Sequence, residues 1–180
     1  MPAPIALTGV PGTGKSAAAA ELAPVVRSVE VGELARGWGV ARRSPGGALT
    51  VDLGRLRQRF RRRPPEVELV VGHLAHLLPV RDVVVLRCHP DVLLGRLERA
   101  RRGSRPDRQE NYVAEALDLV LAEAVQPGRR VWEVDTTDRS PPAVARIVRR
   151  LLRVRPPSRY GTVDWLADPR VTEHLLPREP

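Results

Sequence analysis

The stretch Gly9-Val10-Pro11-Gly12-Thr13-Gly14-Lys15-Ser16 decides the fold of this 180-residue chain. Its spacing matches G-x-x-x-x-G-K-[ST], the phosphate-binding loop, in which backbone N–H groups surround the phosphates of a nucleotide. In such a loop the lysine reaches the outer phosphates, and the hydroxyl of the last residue helps to hold Mg²⁺. The sequence therefore predicts a site for a nucleoside triphosphate.

The residues around this stretch support the prediction. Lys15 is the only lysine among thirty basic residues, and a compact ammonium fits between two phosphates better than a planar guanidinium does. Residues Pro4–Thr8 read as a short buried strand, and Ser16–Ala23 read as a helix that ends before Pro24. The motif requires this order of strand, loop and helix. The alternative, a glycine-rich turn with an incidental lysine, does not account for the flanking elements.

Length and composition restrict the class of protein. A chain of 180 residues suits one α/β domain with a sizeable core. A single cysteine, Cys88, excludes an intrachain disulfide, indicates a buried structural thiol and favours a reducing cytoplasm. The loop motif begins at residue 9, which leaves no room for a signal peptide. No apolar run approaches the ~20 residues that span a bilayer, so we expect a cytoplasmic protein with no membrane partner.

The excess of basic over acidic residues in the chain indicates polyanionic partners. The formal charge is +9, which suits nucleotides and admits direct contact with RNA. Two observations weigh against an RNA platform. The abundance of arginine with almost no lysine is typical of a GC-rich genome, and aromatic residues make up only 3% of the chain, too few for base stacking. No Cys/His cluster has the spacing of a zinc site.

Apolar runs separated by helical segments predict a parallel sheet with helices on both faces. The five predicted strands are Ile5–Thr8, Val25–Val31, Glu66–Gly72, Asp82–Cys88 and Arg130–Val134. Helices are predicted from Gly32, over Asp52–Arg63, Asp91–Ala100 and Glu110–Ala124, and from Thr137 to about Leu152, with a loop at 42–47. This pattern predicts a doubly wound nucleotide-binding fold over 1–153. In such a fold the ligand lies at the carboxyl ends of the strands. Residues 154–180 read as an irregular Pro- and Arg-rich tail with Trp165 as its anchor.

Beyond the loop, the chain resembles a known family: the atypical adenylate kinases that double as small-ribosomal-subunit maturation ATPases. The family includes the coilin-interacting nuclear ATPase of animals and its archaeal relatives. The stretches that carry the likeness span most of the chain: Thr8–Ser16, Val31–Arg36, Gly72–Pro79, Leu86–Pro90 continuing to Glu110–Ala116, and Asp135–Pro141 with Val163–Trp165. The first is generic to phosphate-loop proteins. The second, third and last are specific in combination and look most like the archaeal branch.

The resemblance implies an α/β P-loop NTPase fold with two insertions, and it implies roles for named residues. An acceptor region for the nucleoside monophosphate (NMP) would occupy about 30–53, and a lid would occupy about 101–111. ATP would be held by Gly12, Gly14, Lys15, Ser16, Ala17, Arg102 and Arg139, with Arg139 against the adenine. Arg36 would bind the acceptor monophosphate, Ser16 would hold Mg²⁺ through ATP, and Asp52 is a weaker candidate for a water-mediated contact with Mg²⁺. Lys15, His73 and Arg102 would take part in the transfer step.

The resemblance also implies an activity and partners. The activity is reversible phosphoryl transfer between ATP and AMP, broad for other monophosphates, together with ATPase activity. The cofactors are ATP and Mg²⁺. The implied partner is a small-subunit platform ribosomal protein on the pre-30S particle, with a role in small-subunit maturation and rRNA processing.

The end of the third predicted strand departs from this family. Phosphate-loop enzymes usually place there an acidic residue that orients the water around Mg²⁺, but this strand ends with Val71 before Gly72-His73. Glu68 lies three residues earlier, about 10 Å back along the strand, too far to replace it. We therefore expect weaker Mg²⁺ dependence and slower transfer than in the family, and a gain in rate from Val71→Glu. The acceptor region also departs from the family, over 41–47.

Three functions stay open at this point. The first is an adenylate-kinase-type enzyme with ATPase activity. The second is a ribosome-assembly ATPase whose nucleotide only switches its shape, with little kinase activity. The third is a kinase for a small metabolite, built on the same fold and lid. ADP formation that depends on AMP favours the first, and AMP-independent hydrolysis stimulated by a ribosomal protein favours the second.

Overall fold

A computed structural model describes residues 3–43 and 49–176 of the chain. Its centre is a five-stranded sheet in the order β2-β5-β1-β6-β7, in which every neighbouring pair is parallel. The strands of this sheet are β1 (Ile5–Thr8), β2 (Ser28–Glu30), β5 (Leu69–Val71), β6 (Asp82–Arg87) and β7 (Arg130–Asp135). A separate antiparallel pair is formed by β3 (Ala41–Arg43) and β4 (Leu49–Val51). The predicted parallel sheet is confirmed.

Helices cover both faces of this sheet. They are α1 (Lys15–Leu22), α2 (Val31–Gly37), α3 (Leu53–Arg62), α4 (Pro90–Arg99), α5 (Arg105–Ala116), α6 (Leu119–Ala124), α7 (Pro141–Val154) and α8 (Pro169–Leu175). Two short 3-10 turns lie at Ala75–Leu77 and Trp165–Ala167. In the described ranges, no helix combines the length and the apolar character that a membrane crossing requires.

The core lies in two layers, one on each side of the sheet. On one side, Ala18 and Leu22 of α1 and Val148 of α7 pack against the sheet. On the other side, α2, α3 and α6 contribute Leu34, Leu56 and Leu121, among others. Alternate residues of each buried strand supply the two layers, because successive side chains of a strand point to opposite faces. The chain is therefore a doubly wound α/β fold, as predicted.

Several element boundaries differ from the predicted ones. Only Ser28–Glu30 of the predicted second strand is extended, because Val25 and Val26 belong to a turn in which both N–H groups bond back to Leu22 O. The predicted third strand likewise shortens to Leu69–Val71. The predicted loop at 42–47 begins with strand residues, and 44–48 lies outside the described residues.

The predicted helix Glu110–Ala124 is in fact two helices with an earlier start. Helix α5 begins at Arg105, inside the predicted lid segment 101–111, where Ser104 and Asp107 form a reciprocal capping box. It ends at Ala116, and α6 starts after Asp118, whose φ of 57° is left-handed. The Asp118 carboxylate accepts a hydrogen bond from the buried Arg87. This tertiary contact stabilises the break.

The prediction of an irregular tail is wrong for part of 154–180. Asp168 caps the first turn of α8 by accepting a hydrogen bond from Arg170 N at 2.9 Å, and Pro169 occupies the first helical position. Val171 of this helix is fully buried against Tyr112 and Ala116 of α5. Burial of one apolar face, rather than periodicity, is what makes this short segment helical.

Candidate active site

The loop between β1 and α1 has a backbone that only glycine can follow. Gly9, Gly12 and Gly14 take positive φ values of 138°, 96° and 94°, a region that strains residues with a side chain. A Cβ atom on Gly9 would lie 2.4 Å from Leu86 O, so this glycine is also fixed by its neighbour strand. Helix α1 begins at Lys15, and the first N–H groups of a helix have no intrahelical partner. The loop can therefore present amide donors to an anion.

Lys15 is held against this loop. The residue is only 9% exposed, and Nζ donates to Gly9 O at 2.8 Å and to Val10 O at 2.9 Å. Burial lowers the pKa of Lys15 to about 8, although the carboxylates of Glu30 and Glu115 partly offset this. The ammonium therefore stays protonated at neutral pH. Two carbonyls compensate a buried positive charge less well than a phosphate would.

The loop opens onto a cleft of about 470 Å³ at the carboxyl ends of the strands. Its walls come from the loop, from the ends of β2 and β5 and from α4 with the turn that follows it. Seven residues that the sequence or the resemblance proposed line this cleft: Gly12, Gly14, Lys15, Ser16, Ala17, His73 and Arg102. The structure thus brings together residues from positions 12 to 102 around one space.

Three other candidates lie outside this cleft. Asp52 caps α3, where Oδ1 accepts a hydrogen bond from Arg55 N at 3.0 Å. Arg36 is exposed in the last turn of α2. Arg139 donates from Nε to Asp135 O at 2.7 Å and lines a different cleft of about 510 Å³ between β7, α7 and the chain after it. That second cleft contains no residue of the phosphate-binding loop.

Two charged residues of the cleft were not predicted from the sequence. Arg96 of α4 lines it and is fixed there, because its guanidinium donates to Thr136 O at 2.8 Å and to Thr137 O at 2.9 Å. Glu30 also lines it, and Ser16 Oγ donates to Glu30 Oε1 at 3.0 Å. Glu30 ends β2 in the structure, where ligands bind in this class of fold, but the predicted strand Val25–Val31 continued past it and gave no signal.

His73 and His76 follow β5 and differ in role. His73 faces the cleft, and burial, followed by repulsion from Lys15, lowers its pKa, so the imidazole is neutral at neutral pH. His76 is buried, with Nδ1 2.9 Å from Thr8 Oγ1 and Nε2 2.8 Å from Glu123 Oε2. His76 therefore holds the turn after β5 in place.

In the part of the chain that the structure describes, no three His, Cys, Asp or Glu side chains group together to hold a metal ion. Mg²⁺ in phosphoryl-transfer sites does not need such a group, since one or two protein oxygens and the substrate phosphates suffice. The cleft offers two such oxygens, the Ser16 hydroxyl and the Glu30 carboxylate. Both are hard donors, so this pair fits the ion.

Comparison with known proteins agrees with this geometry. Residues 5–118 match a family model described as an AAA domain. Two curated relatives are each described as "Putative adenylate kinase". The relative from Archaeoglobus fulgidus is 38% identical over 91% of this chain and 92% of its own. The relative from Halobacterium salinarum is 40% identical over 89% of this chain and 96% of its own.

A solved structure shares the fold at a lower sequence identity than these relatives. The shikimate kinase from Bacteroides thetaiotaomicron superposes with a TM-score of 0.52 at 21% identity, covering 84% of this chain and 99% of that one. That likeness concerns the fold alone. The sequence relatives go further, because the matches to them cover about nine tenths of this chain at 38–40% identity. The chain belongs to the P-loop nucleoside monophosphate kinase family that these archaeal proteins represent.

Proposed function

We propose that this protein is an adenylate-kinase-type enzyme that transfers the γ-phosphoryl group of ATP to AMP, reversibly and with tolerance for other monophosphates. The observation that carries the proposal is the cleft itself, in which the loop, Lys15, Arg96 and Arg102 surround one space. Phosphoryl transfer demands little covalent chemistry and depends on positioned cations and the exclusion of water. The names of the archaeal relatives point to the same reaction.

Each group in the cleft would have a distinct task. The loop glycines Gly12 and Gly14 and the first turn of α1 would bind the triphosphate, with Lys15 between its outer phosphates. Arg102 follows the left-handed Arg101 and precedes the left-handed Gly103, so its turn can act as a short hinged lid over ATP. When bound, Mg²⁺ neutralises charge on the β- and γ-phosphates, and Ser16 would hold it.

His73 would act beside the transferring phosphate. It lines the same cleft as Lys15 and is neutral at neutral pH, for the reasons given above. A neutral imidazole can donate one hydrogen bond without adding a second positive charge next to Lys15. We assign it to orienting the acceptor or a water molecule, and we expect His73→Ala to lower turnover more than ATP affinity.

The roles of three residues outside the cleft remain part of the proposal. Arg36 lies in α2, directly after β2, and would bind the AMP phosphate in the proposed acceptor region. Arg139 follows β7 and would lie against the adenine. Asp52 is engaged as a helix cap, which weakens its proposed contact with the Mg²⁺ shell.

A second candidate function is that of a nucleotide-switched ATPase in small-subunit maturation and rRNA processing in a reducing cytoplasm. Its support is electrostatic. The chain carries a formal charge of +9, and three basic residues crowd the last turn of α3, a surface suited to an rRNA-rich pre-30S particle or its platform protein. Under this alternative, ATP hydrolysis would not need AMP.

An acceptor screen separates these functions. ADP formation from ATP is measured alone, with AMP, with other nucleoside monophosphates, and with small alcohols and acids. We expect AMP to stimulate ADP formation strongly and small alcohols to leave it unchanged. Stimulation by a small alcohol instead would indicate a metabolite kinase. ATP hydrolysis that does not depend on AMP and that increases when ribosomal particles are added would indicate the nucleotide-switched ATPase.

A further inference from the structure

The residue paired with Val71 is a carboxylate. Val71 ends β5 where phosphate-loop enzymes usually place an acid, and it is only 1% exposed. In the parallel register of β2 and β5, Val71 lies beside Glu30. Paired residues of neighbouring parallel strands point to the same face, about 4.8 Å apart. Glu30 thus brings a carboxylate to the same level and face of the sheet, one strand away.

The contact that Glu30 makes is the one expected of a ligand pair for Mg²⁺. Its Oε1 lies 3.0 Å from Ser16 Oγ, the hydroxyl that the motif assigns to the ion. Mg²⁺ holds its ligands at 2.0–2.1 Å in octahedral geometry, so two adjacent ligands lie about 3 Å apart. The Ser16 and Glu30 oxygens already have this spacing.

The other acidic candidates are occupied elsewhere. Within 3–43 and 49–176, Glu30 is the single Asp or Glu among the residues that line the cleft. Asp52 caps α3, and Glu68 accepts a hydrogen bond from Arg27 N at 3.2 Å at the opposite end of β5. An ion bound at Ser16 would therefore find one protein carboxylate within reach.

We propose that Glu30, at the end of β2, replaces the acid that β5 lacks, and that it holds the Mg²⁺ of the bound nucleotide together with Ser16. This inference rests on the proposed function to the extent that MgATP is the substrate. It also revises the expectation for Val71→Glu. Because the site already contains a carboxylate, a second one beside it would repel the first, and no gain in rate is expected.

A purely electrostatic role for Glu30 is the competing explanation. Its carboxylate also raises the pKa of Lys15 against the effect of burial, so it could serve only to keep that ammonium charged. The two roles differ in their dependence on the metal. Loss of a metal ligand weakens nucleotide binding only when Mg²⁺ is present, whereas loss of a partner for Lys15 changes binding with and without Mg²⁺.

The test compares the affinity for a non-hydrolysable ATP analogue with Mg²⁺ and with EDTA, by calorimetry. The proteins are the wild type, Glu30→Gln, Glu30→Asp and the matched control Glu21→Gln, which removes an exposed carboxylate near the end of α1. A thermal melt of each variant confirms folding. In a second measurement, Mn²⁺ replaces Mg²⁺, and its binding to the protein–analogue complex is followed by electron paramagnetic resonance.

We expect Glu30→Gln to weaken metal binding in the complex by about tenfold or more and to change the nucleotide affinity in EDTA far less. Glu30→Asp should lie between wild type and Glu30→Gln, and Glu21→Gln should match wild type. Unchanged Mn²⁺ binding in Glu30→Gln would overturn the inference, as would an equal loss of affinity with and without metal. A wild type that binds the metal–nucleotide complex but phosphorylates no monophosphate would overturn the proposed function while leaving the role of Glu30 intact.

Discussion

At the scale of single residues, the site depends on one buried ammonium. Lys15 is enclosed by the loop carbonyls that it bonds, and its surroundings lower its pKa to about 8. Phosphates bind the protonated form and raise its pKa in the complex. Nucleotide binding above neutral pH must therefore be coupled to uptake of a proton by Lys15.

This coupling gives a pH dependence with a defined sign. Affinity for ATP should fall as the pH rises through about 8, by at most about tenfold per pH unit, because the free protein loses the proton that the complex retains. Calorimetry between about pH 7 and 9.5 measures this effect. The control is Lys15→Arg, since arginine stays charged over the whole range and should give a nearly flat profile. A flat profile for the wild type would contradict the role assigned to Lys15.

The sequence predicted most, but not all, of the residues in the cleft. The loop residues could be predicted because their spacing is itself the chemical requirement. The role of Glu30 could not be predicted, because it depends on which strand lies beside β5. The order of strands along the chain does not reveal their order in the sheet. Arg96 was hidden for a related reason. It is one of many arginines, and only the carbonyls after β7 distinguish it.

At the scale of elements, the loop is shaped by glycines that differ in their surroundings. Gly9 would place a Cβ atom 2.4 Å from Leu86 O of β6, whereas Gly14 has nothing within 4 Å. Both have left-handed φ. We expect Gly14→Ala to cost about 1–2 kcal/mol of unfolding free energy from backbone strain alone. Gly9→Ala adds a clash with the backbone of a strand, and should cost about 3 kcal/mol or more.

Urea unfolding of the two variants measures this difference. Gly14→Ala is the matched control, because it makes the same chemical change in the same loop. Equal stabilities for the two variants would mean that the loop is not packed against β6 as described. In that case its path into the cleft would also need revision.

Helix and strand prediction succeeded where the local pattern was sufficient. Continuous apolar runs identified all five strands of the main sheet, and Pro24 and Asp52 correctly marked the end of α1 and the start of α3. The helix break at Asp118 was not predicted, because it depends on an ion pair with Arg87, 31 residues away. Helix α8 was not predicted, because its apolar face is defined only by its packing against α5.

At the scale of the whole molecule, one buried arginine joins the sheet, the helices and the C-terminal segment. Arg87 donates to Glu115 and to Glu133, each at 2.7 Å. The same two carboxylates bind the C-terminal segment, since Trp165 Nε1 donates to Glu115 at 3.1 Å and Thr162 N donates to Glu133 at 2.7 Å. Residues after α7 are thus fixed through carboxylates that Arg87 neutralises.

Removing this arginine should destabilise the whole domain. Arg87→Ala leaves two buried carboxylates without their charge partner, which costs about 3–5 kcal/mol. The control Arg153→Ala removes an exposed arginine of α7 and should change stability by less than about 0.5 kcal/mol. Chemical unfolding measures both. Similar values for the two variants would show that the network does not hold the C-terminal segment in place.

The proposed kinase activity is defined by where the γ-phosphoryl group of ATP goes. ATP labelled in its γ-phosphate is incubated with the protein, AMP and Mg²⁺, and the label is then located. If the cleft is a monophosphate kinase site, the label appears in ADP formed from AMP, and Lys15→Ala abolishes its transfer. Label recovered only as inorganic phosphate, at a rate that AMP does not change, would contradict the account.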